Sequence, residues 1–177
     1  MNAQIGRAAP HFVADAYVPG EPEAKTVALC DFAGSWLVLF FYPRDFTFVC
    51  PTELQAFASL ADAFAEEGAQ LVAASTDSYW SHRAWFESHP MLSAVDYPVL
   101  ADTTQQLAAD YGVMADDGSA LRATFVIDNE GVLRHATVSD QSVGRSPDET
   151  LRILQALRTG ALCPVGWRKG EPTLVAA

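Results

Sequence analysis

The 177-residue chain alternates short apolar runs with stretches in which apolar side chains recur at helical spacing. Trp36–Tyr42 is an unbroken apolar run, far too short to span a bilayer and of the length of a buried strand. Pro51 to about Glu67 repeats Leu54, Phe57, Leu60, Ala61 and Phe64 at a helical period, and Gly68 is placed to end it. Leu71–Ser75 and Tyr97–Leu100 are predicted strands, and Ser81–Ser88 and Thr104–Tyr111 predicted helices. Ala123–Ile127 and Val132–Val138 flank the turn Asp128-Asn129-Glu130-Gly131 and form a predicted hairpin. Pro147 opens a last helix reaching about Thr159, where Gly160 ends it. A β-α-β-α-β-α run followed by a hairpin and a helix implies an α/β sandwich, a central mixed β-sheet flanked by helices. The stretch after Gly160, with Pro164 and Pro172, is expected to lie outside the regular core. The expected organisation is therefore a domain over residues 1–160 and a C-terminal tail over residues 161–177.

Composition adds exclusions. Half of the residues are hydrophobic and 19% charged, which is ordinary for a globular domain. The amino-terminal stretch MNAQIGRAAPHF has no apolar segment of signal-peptide length, so a cytoplasmic protein is the expectation. The net charge of −11 argues against nucleic acid or an anionic membrane as partner. Three cysteines, Cys30, Cys50 and Cys163, are too few and too scattered for a disulfide framework and lack the paired spacings of a zinc site. In a reducing compartment, a disulfide between any two is more readily catalytic than structural. His11, His82, His89 and His135 have no ligand spacing to one another and read as structural or surface residues.

Cys50 has the most telling position. It falls where the strand pattern gives way to the helix pattern, with Pro51 at about the first helical position. Helix amino termini present unpaired N–H groups and partial positive charge, which favour a thiolate, the nucleophilic form of the side chain. A free thiol of pKa about 8.5 is only about 3% ionised at pH 7. Taken by its position alone, Cys50 could equally be a small buried hydrophobe. Thr47 and Glu53 stand three residues to either side, where a dithiol enzyme would carry its second cysteine, so dithiol exchange within this loop is excluded. The Thr47 hydroxyl can instead accept from or donate to a substrate oxygen, and Pro43 fixes the backbone where the strand ends. The loop reads as one that offers a single thiolate to a small polar substrate.

Pro43, Thr47 and Cys50 in PRDFTFVC match the Pro-x-x-x-Thr-x-x-Cys motif of peroxiredoxins. FFYPRDFTFVCPTEL resembles the typical two-cysteine group, which includes the peroxidase component of bacterial alkyl hydroperoxide reductase. SHRAWF (81–86), RATFVID (122–128) and LCPVGWRKGEPTL (162–174) continue the resemblance in family order over most of the chain. The resemblance implies a thioredoxin-like fold, whose element order matches the one above, with extra elements near both ends. It also implies a thiol-dependent peroxidase that reduces hydrogen peroxide and alkyl hydroperoxides in antioxidant defence and redox homeostasis, with no metal or organic cofactor.

By the same resemblance, Cys50 is the peroxidatic cysteine that becomes a sulfenic acid. Arg122 stabilises its thiolate and polarises the peroxide, Thr47 hydrogen-bonds the peroxide, Pro43 shields the sulfur and Glu53 orients the arginine. Cys163 is the resolving cysteine, reaching Cys50 of a partner subunit to form an intersubunit disulfide. The resemblance gives Cys30 no role, and its place in VALCDFAG, before the first core strand, points to neutral packing. A homodimer assembling into a ring of five dimers is implied, with thioredoxin or a dedicated disulfide reductase as electron donor. Members that over-oxidise readily carry a Tyr-Phe pair on an added carboxyl-terminal helix and a Gly-Gly-Leu-Gly insertion. This sequence has neither, so little is expected to hold its tail down.

Overall fold

The structure, a computed structural model, describes residues 3–175, so the outermost residues of the expected domain and tail, 1–2 and 176–177, lie outside it. Seven strands form one sheet: β1 (Val13–Tyr17), β2 (Lys25–Ala28), β3 (Trp36–Phe41), β4 (Ala69–Ser75), β5 (Val99–Ala101), β6 (Arg122–Ile127) and β7 (Leu133–Ser139). Their order across the sheet is β2-β1-β5-β4-β3-β6-β7. Strand β3 runs parallel to β4 and antiparallel to β6, β4 runs parallel to β5, and the remaining pairs are antiparallel. The sheet is thus mixed, as the sequence implied.

The unbroken apolar run of β3 follows from coverage on both faces. Leu37, Leu39 and Phe41 point into one core with Phe12, Tyr111 and Phe125. Val38, Phe40 and Tyr42 point into the other with Leu54, Phe57, Phe64, Trp85 and Leu154. The helices supplying these layers are α1 (Cys50–Ser59), α2 (Ala61–Glu66), α3 (Tyr79–Ser88), α4 (Gln106–Asp110) and α5 (Pro147–Arg158).

Three differences from the sequence reading stand out. The helix expected from Pro51 to Glu67 is two, broken at Leu60 (φ −108°, ψ 7°), and no glycine or proline marks the break. Strands β1 and β2 were not expected as strands, because half-exposed VADAY shows no regular alternation of apolar and polar positions and KTVA is only four residues long. The segment after α5 forms no long element, yet it is not loosely held. Leu162 and Leu174 pair as a bridge, and Trp167 is buried at 3% exposure with its indole N–H donating to Glu171 O at 3.0 Å.

Phe57 stacks on Phe40 at 4.0 Å between ring centroids and is fully buried, so it fixes the seat of α1 on the sheet. Phe57→Ala should cost about 3–5 kcal/mol of unfolding free energy. Urea denaturation reads this directly, and a loss below about 1 kcal/mol would contradict the packing described.

Candidate active site

The chain leaves β3 at Tyr42, crosses the loop Pro43–Val49 and enters α1 with Cys50 as its first residue and Pro51 just inside. Proline at this position loses nothing, because its missing N–H would have no helical partner. Cys50 is fully buried at the base of a pocket of about 260 Å³. Pro43, Thr47, Arg122 and Gln141 are among its lining residues. Of the six residues given site roles from sequence, Pro43, Thr47, Cys50 and Arg122 therefore meet at one place, and Glu53 contacts Arg122 behind them.

Arg122 opens β6, and its position follows from the register of the sheet, since β6 pairs with β3 and Ala123 lies opposite Phe41. This brings the arginine beside the end of β3. Its Nη1 donates to Cys50 Sγ at 3.4 Å and also to Glu53 Oε2. Its Nε donates to Gln141 O at 2.7 Å, which fixes the plane of the guanidinium. Glu53 lies one turn into α1 and is 2% exposed.

Arg145 was not singled out from sequence, and it is central. Its backbone N–H and Nε both donate to Glu53 Oε1 at 2.7 Å, and its Nη2 donates to Oε2 at 3.1 Å. Its Nη1 donates to Ala123 O at 2.7 Å, and its guanidinium lies over Phe40 at 5.5 Å and Phe57 at 6.0 Å. Planar, many-donor arginine suits such a site, where a lysine could not serve all partners. Its only sequence signal is an arginine just ahead of the Ser146-Pro147 helix start, in a loop of unpatterned polar residues.

Two guanidiniums and one carboxylate sum to one positive charge, and the group facing the sulfur is Arg122. The buried cluster becomes neutral when Cys50 is a thiolate. An uncompensated buried charge is costly, so any negative charge that arises at this site is met by a fixed positive one. Burial pushes the Glu53 carboxyl up, but the hydrogen bonds and charge of Arg145, followed by the charge of Arg122, outweigh it. The carboxyl is held below its ordinary 4.5.

The loop before Cys50 is held from beneath. Phe46 adopts φ 54°, a left-handed conformation that costs a bulky residue of order 1–3 kcal/mol and persists only where surroundings impose it. Its neighbour Asp45 imposes it. The Asp45 N–H donates to Asp77 Oδ2 at 2.9 Å, and its carboxylate accepts Tyr42 OH at 2.7 Å and lies 2.9 Å from His82 Nδ1. His82 is thus a buried structural histidine. Thr47 Oγ1 donates to Arg44 O at 2.8 Å, so its proton is in use and its lone pairs are free for a substrate hydroxyl. At the rim, Arg44 Nη2 donates to Asp117 O at 2.9 Å.

Cys163 is not among the residues around Cys50. It sits half-buried just past α5, with Sγ 3.4 Å from Thr159 Oγ1 and 3.7 Å from Ala156 O. Cys30, expected to have a neutral packing role, is exposed in the short turn that follows β2, beside Asp31. Among the described residues, no group of three or more His, Cys, Asp or Glu could hold a metal ion, and no helix is long and apolar enough to cross a membrane.

The sequence matches the AhpC/TSA family over residues 5–136. The chain belongs to that family, the peroxiredoxins. A peroxiredoxin of Cynops pyrrhogaster is 45% identical, the match covering 98% of this chain and 90% of that one. A thioredoxin peroxidase of Echinococcus granulosus is 46% identical, over 98% and 93%. Among solved structures, the reduced 2-Cys peroxiredoxin of Plasmodium vivax superposes with a TM-score of 0.91 at 38% identity, covering 96% of this chain and 91% of that one. AhpC of Mycobacterium tuberculosis gives 0.86 at 35% identity, over 95% and 100%. The fold is therefore the thioredoxin-like fold of peroxiredoxins, and the protein is a thiol-dependent peroxidase.

Glu53→Gln should leave two buried guanidiniums short of their counter-charge and cost about 3 kcal/mol at pH 7. Because the folded carboxyl titrates below 4.5, its contribution is present above that pH and fades as pH falls through the folded value. The stability gap between wild type and Glu53→Gln should therefore narrow below pH 4.5 in urea titrations. A gap of constant size from neutrality into that acid range would contradict the pairing.

Proposed function

We propose that the protein reduces hydrogen peroxide and alkyl hydroperoxides through Cys50 and resolves the product with Cys163 of a partner subunit. The carrying observation is the Arg122 guanidinium donating to Cys50 Sγ at 3.4 Å at the base of an open pocket. The thiolate attacks one peroxide oxygen, the O–O bond breaks, and the departing oxygen leaves as alkoxide or hydroxide and takes up a proton. Arg122, already oriented by Gln141 and Glu53, lies where it can donate to the oxygen on which charge develops. Thr47 accepts the hydrogen bond of the peroxide O–H, and Pro43 forms the wall that limits water at the sulfur.

The sulfenic acid at Cys50 then condenses with the thiol of Cys163, releasing water and forming a disulfide. A partner subunit is required in this reading, since the Cys163 of the same chain is docked on its own α5, away from the pocket. Among the described residues the outer edge of β7 beyond Leu133, like that of β2, has no strand neighbour, so the sheet leaves edges at which two copies could pair. A ring of five such dimers and a role in antioxidant defence rest on the family resemblance. Two electrons from thioredoxin or a dedicated disulfide reductase would reopen the disulfide. The name of the Echinococcus granulosus relative, thioredoxin peroxidase, favours the former.

Peroxide-treated wild type should run as a covalent dimer on a non-reducing gel, and Cys163→Ser as a monomer. A dimer that survives Cys163→Ser and is lost in Cys30→Ser would reverse the assignment of the resolving residue. Arg122→Ala should slow peroxide reduction about 10²–10³-fold with the fold retained. A second-order rate within a factor of two of wild type would remove Arg122 from the mechanism.

A further inference from the structure

The tail bearing Cys163 is fastened at a point far in sequence from every catalytic residue. Glu67 closes α2, and its side chain is 7% exposed. A carboxylate at the carboxyl end of a helix opposes the helix dipole, so no local preference places it there. Its partners explain it. Lys169 Nζ donates to Oε1, Gln155 Nε2 donates to the same oxygen at 3.2 Å, and Arg158 Nη1 donates to Oε2 at 2.7 Å. Gln155 and Arg158 precede Cys163 on α5, and Lys169 follows it in the tail, so the loop carrying the resolving thiol is tied at both ends to one carboxylate. Burial pushes that carboxyl up, but the hydrogen bonds of Lys169 and Gln155 and the charges of Lys169 and Arg158 outweigh it and hold it below its ordinary range. A second tie lies alongside: Arg152 Nη1 donates to Trp167 O at 2.9 Å while its Nε and Nη2 pair with Glu149.

We infer that Glu67 is a positioning residue for the resolving step, a latch that holds the Cys163 loop on α5 and whose release through Lys169 sets how fast Cys163 reaches a sulfenic acid. This rests on the Cys50–Cys163 disulfide proposed above. At the sulfenic stage two reactions compete. Condensation joins the two sulfurs and expels the sulfenic hydroxyl as water. Alternatively, a second hydroperoxide transfers one oxygen to the sulfenic sulfur, giving sulfinic acid and an alcohol or water. In the docked state the Cys163 thiol faces Thr159 and Ala156, so condensation waits on local opening. Lys169 is 63% exposed and can be replaced without disturbing a core.

The test is mass spectrometry of Cys50 during turnover at graded peroxide, on wild type, Glu67→Gln and Lys169→Met, with thioredoxin as reductant. Lys169→Met removes one ion pair and should raise the peroxide concentration that gives half sulfinic acid by about threefold to fivefold, and Glu67→Gln, which removes the Arg158 pair as well, should raise it at least as much. The rate of the first oxidation of Cys50 should stay at the wild-type value, which a general loss of structure would not allow. Raising the ionic strength should shift wild type in the same direction and Lys169→Met much less. An unchanged or lowered threshold in Lys169→Met, with Cys163-dependent dimers still forming, would overturn the latch alone. Absence of Cys163-dependent dimers in wild type would instead overturn the disulfide on which the latch depends.

Discussion

Everything at the site depends on a charge that cannot be left unbalanced. Arg122, Arg145 and Glu53 are buried together and sum to one positive charge, which the Cys50 sulfur faces across 3.4 Å. Water is largely excluded, so the imbalance is not screened as it would be on a surface. A thiolate at Cys50 completes the sum. The same guanidinium that faces the sulfur lies beside the pocket, where it can donate to a substrate oxygen. One carboxylate, Glu53, contacts both guanidiniums, while Arg122 has its own anchor in Gln141 O.

The scaffold keeps this cluster in register. Pairing of β6 with β3 sets Arg122 beside the end of β3, and the seat of α1 on Phe40 through Phe57 sets Cys50 and Glu53 against it. Arg145 connects the two, its guanidinium lying over both of those rings while it binds Glu53 and the β6 carbonyl of Ala123. The unfavourable φ of Phe46 is the visible strain of the arrangement, held by the buried contacts of Asp45 with Tyr42, His82 and Asp77. The tail is held by a separate set of polar contacts from α5 and Glu67, which share no residue with the cluster around Cys50.

Sequence alone reached the central strands because Trp36–Tyr42 is apolar on every residue, and the helices because Leu54, Phe57 and Phe64 recur at a helical period. It missed β1 and β2, whose stability comes from pairing with β5 and each other rather than from any pattern of their own. At the site, Pro43, Thr47, Cys50 and Arg122 were legible from motifs. Arg145 was not, because its partners Glu53, Ala123 and Phe40 are distant in sequence and only the closed sheet brings them together. The tail was expected to lie loose because it lacks the added segments of sensitive relatives. The structure corrects this: Glu67, Arg152 and buried Trp167 hold it, and none of those contacts has a local signature.

The charge balance is tested most directly by removing one charge and then its counter-charge, with the rate of peroxide attack as the readout. Arg145 does not touch the sulfur, so Arg145→Gln alters the sum while leaving the Arg122 contact in place. The balance predicts that Arg145→Gln alone slows attack at least about tenfold, since one positive charge is lost against Glu53 and the thiolate. Adding Glu53→Gln restores a neutral cluster of Arg122 and thiolate, and most of the rate should return. A double variant no faster than Arg145→Gln alone, with both proteins folded, would show that the net charge of the cluster does not govern the reactivity of Cys50.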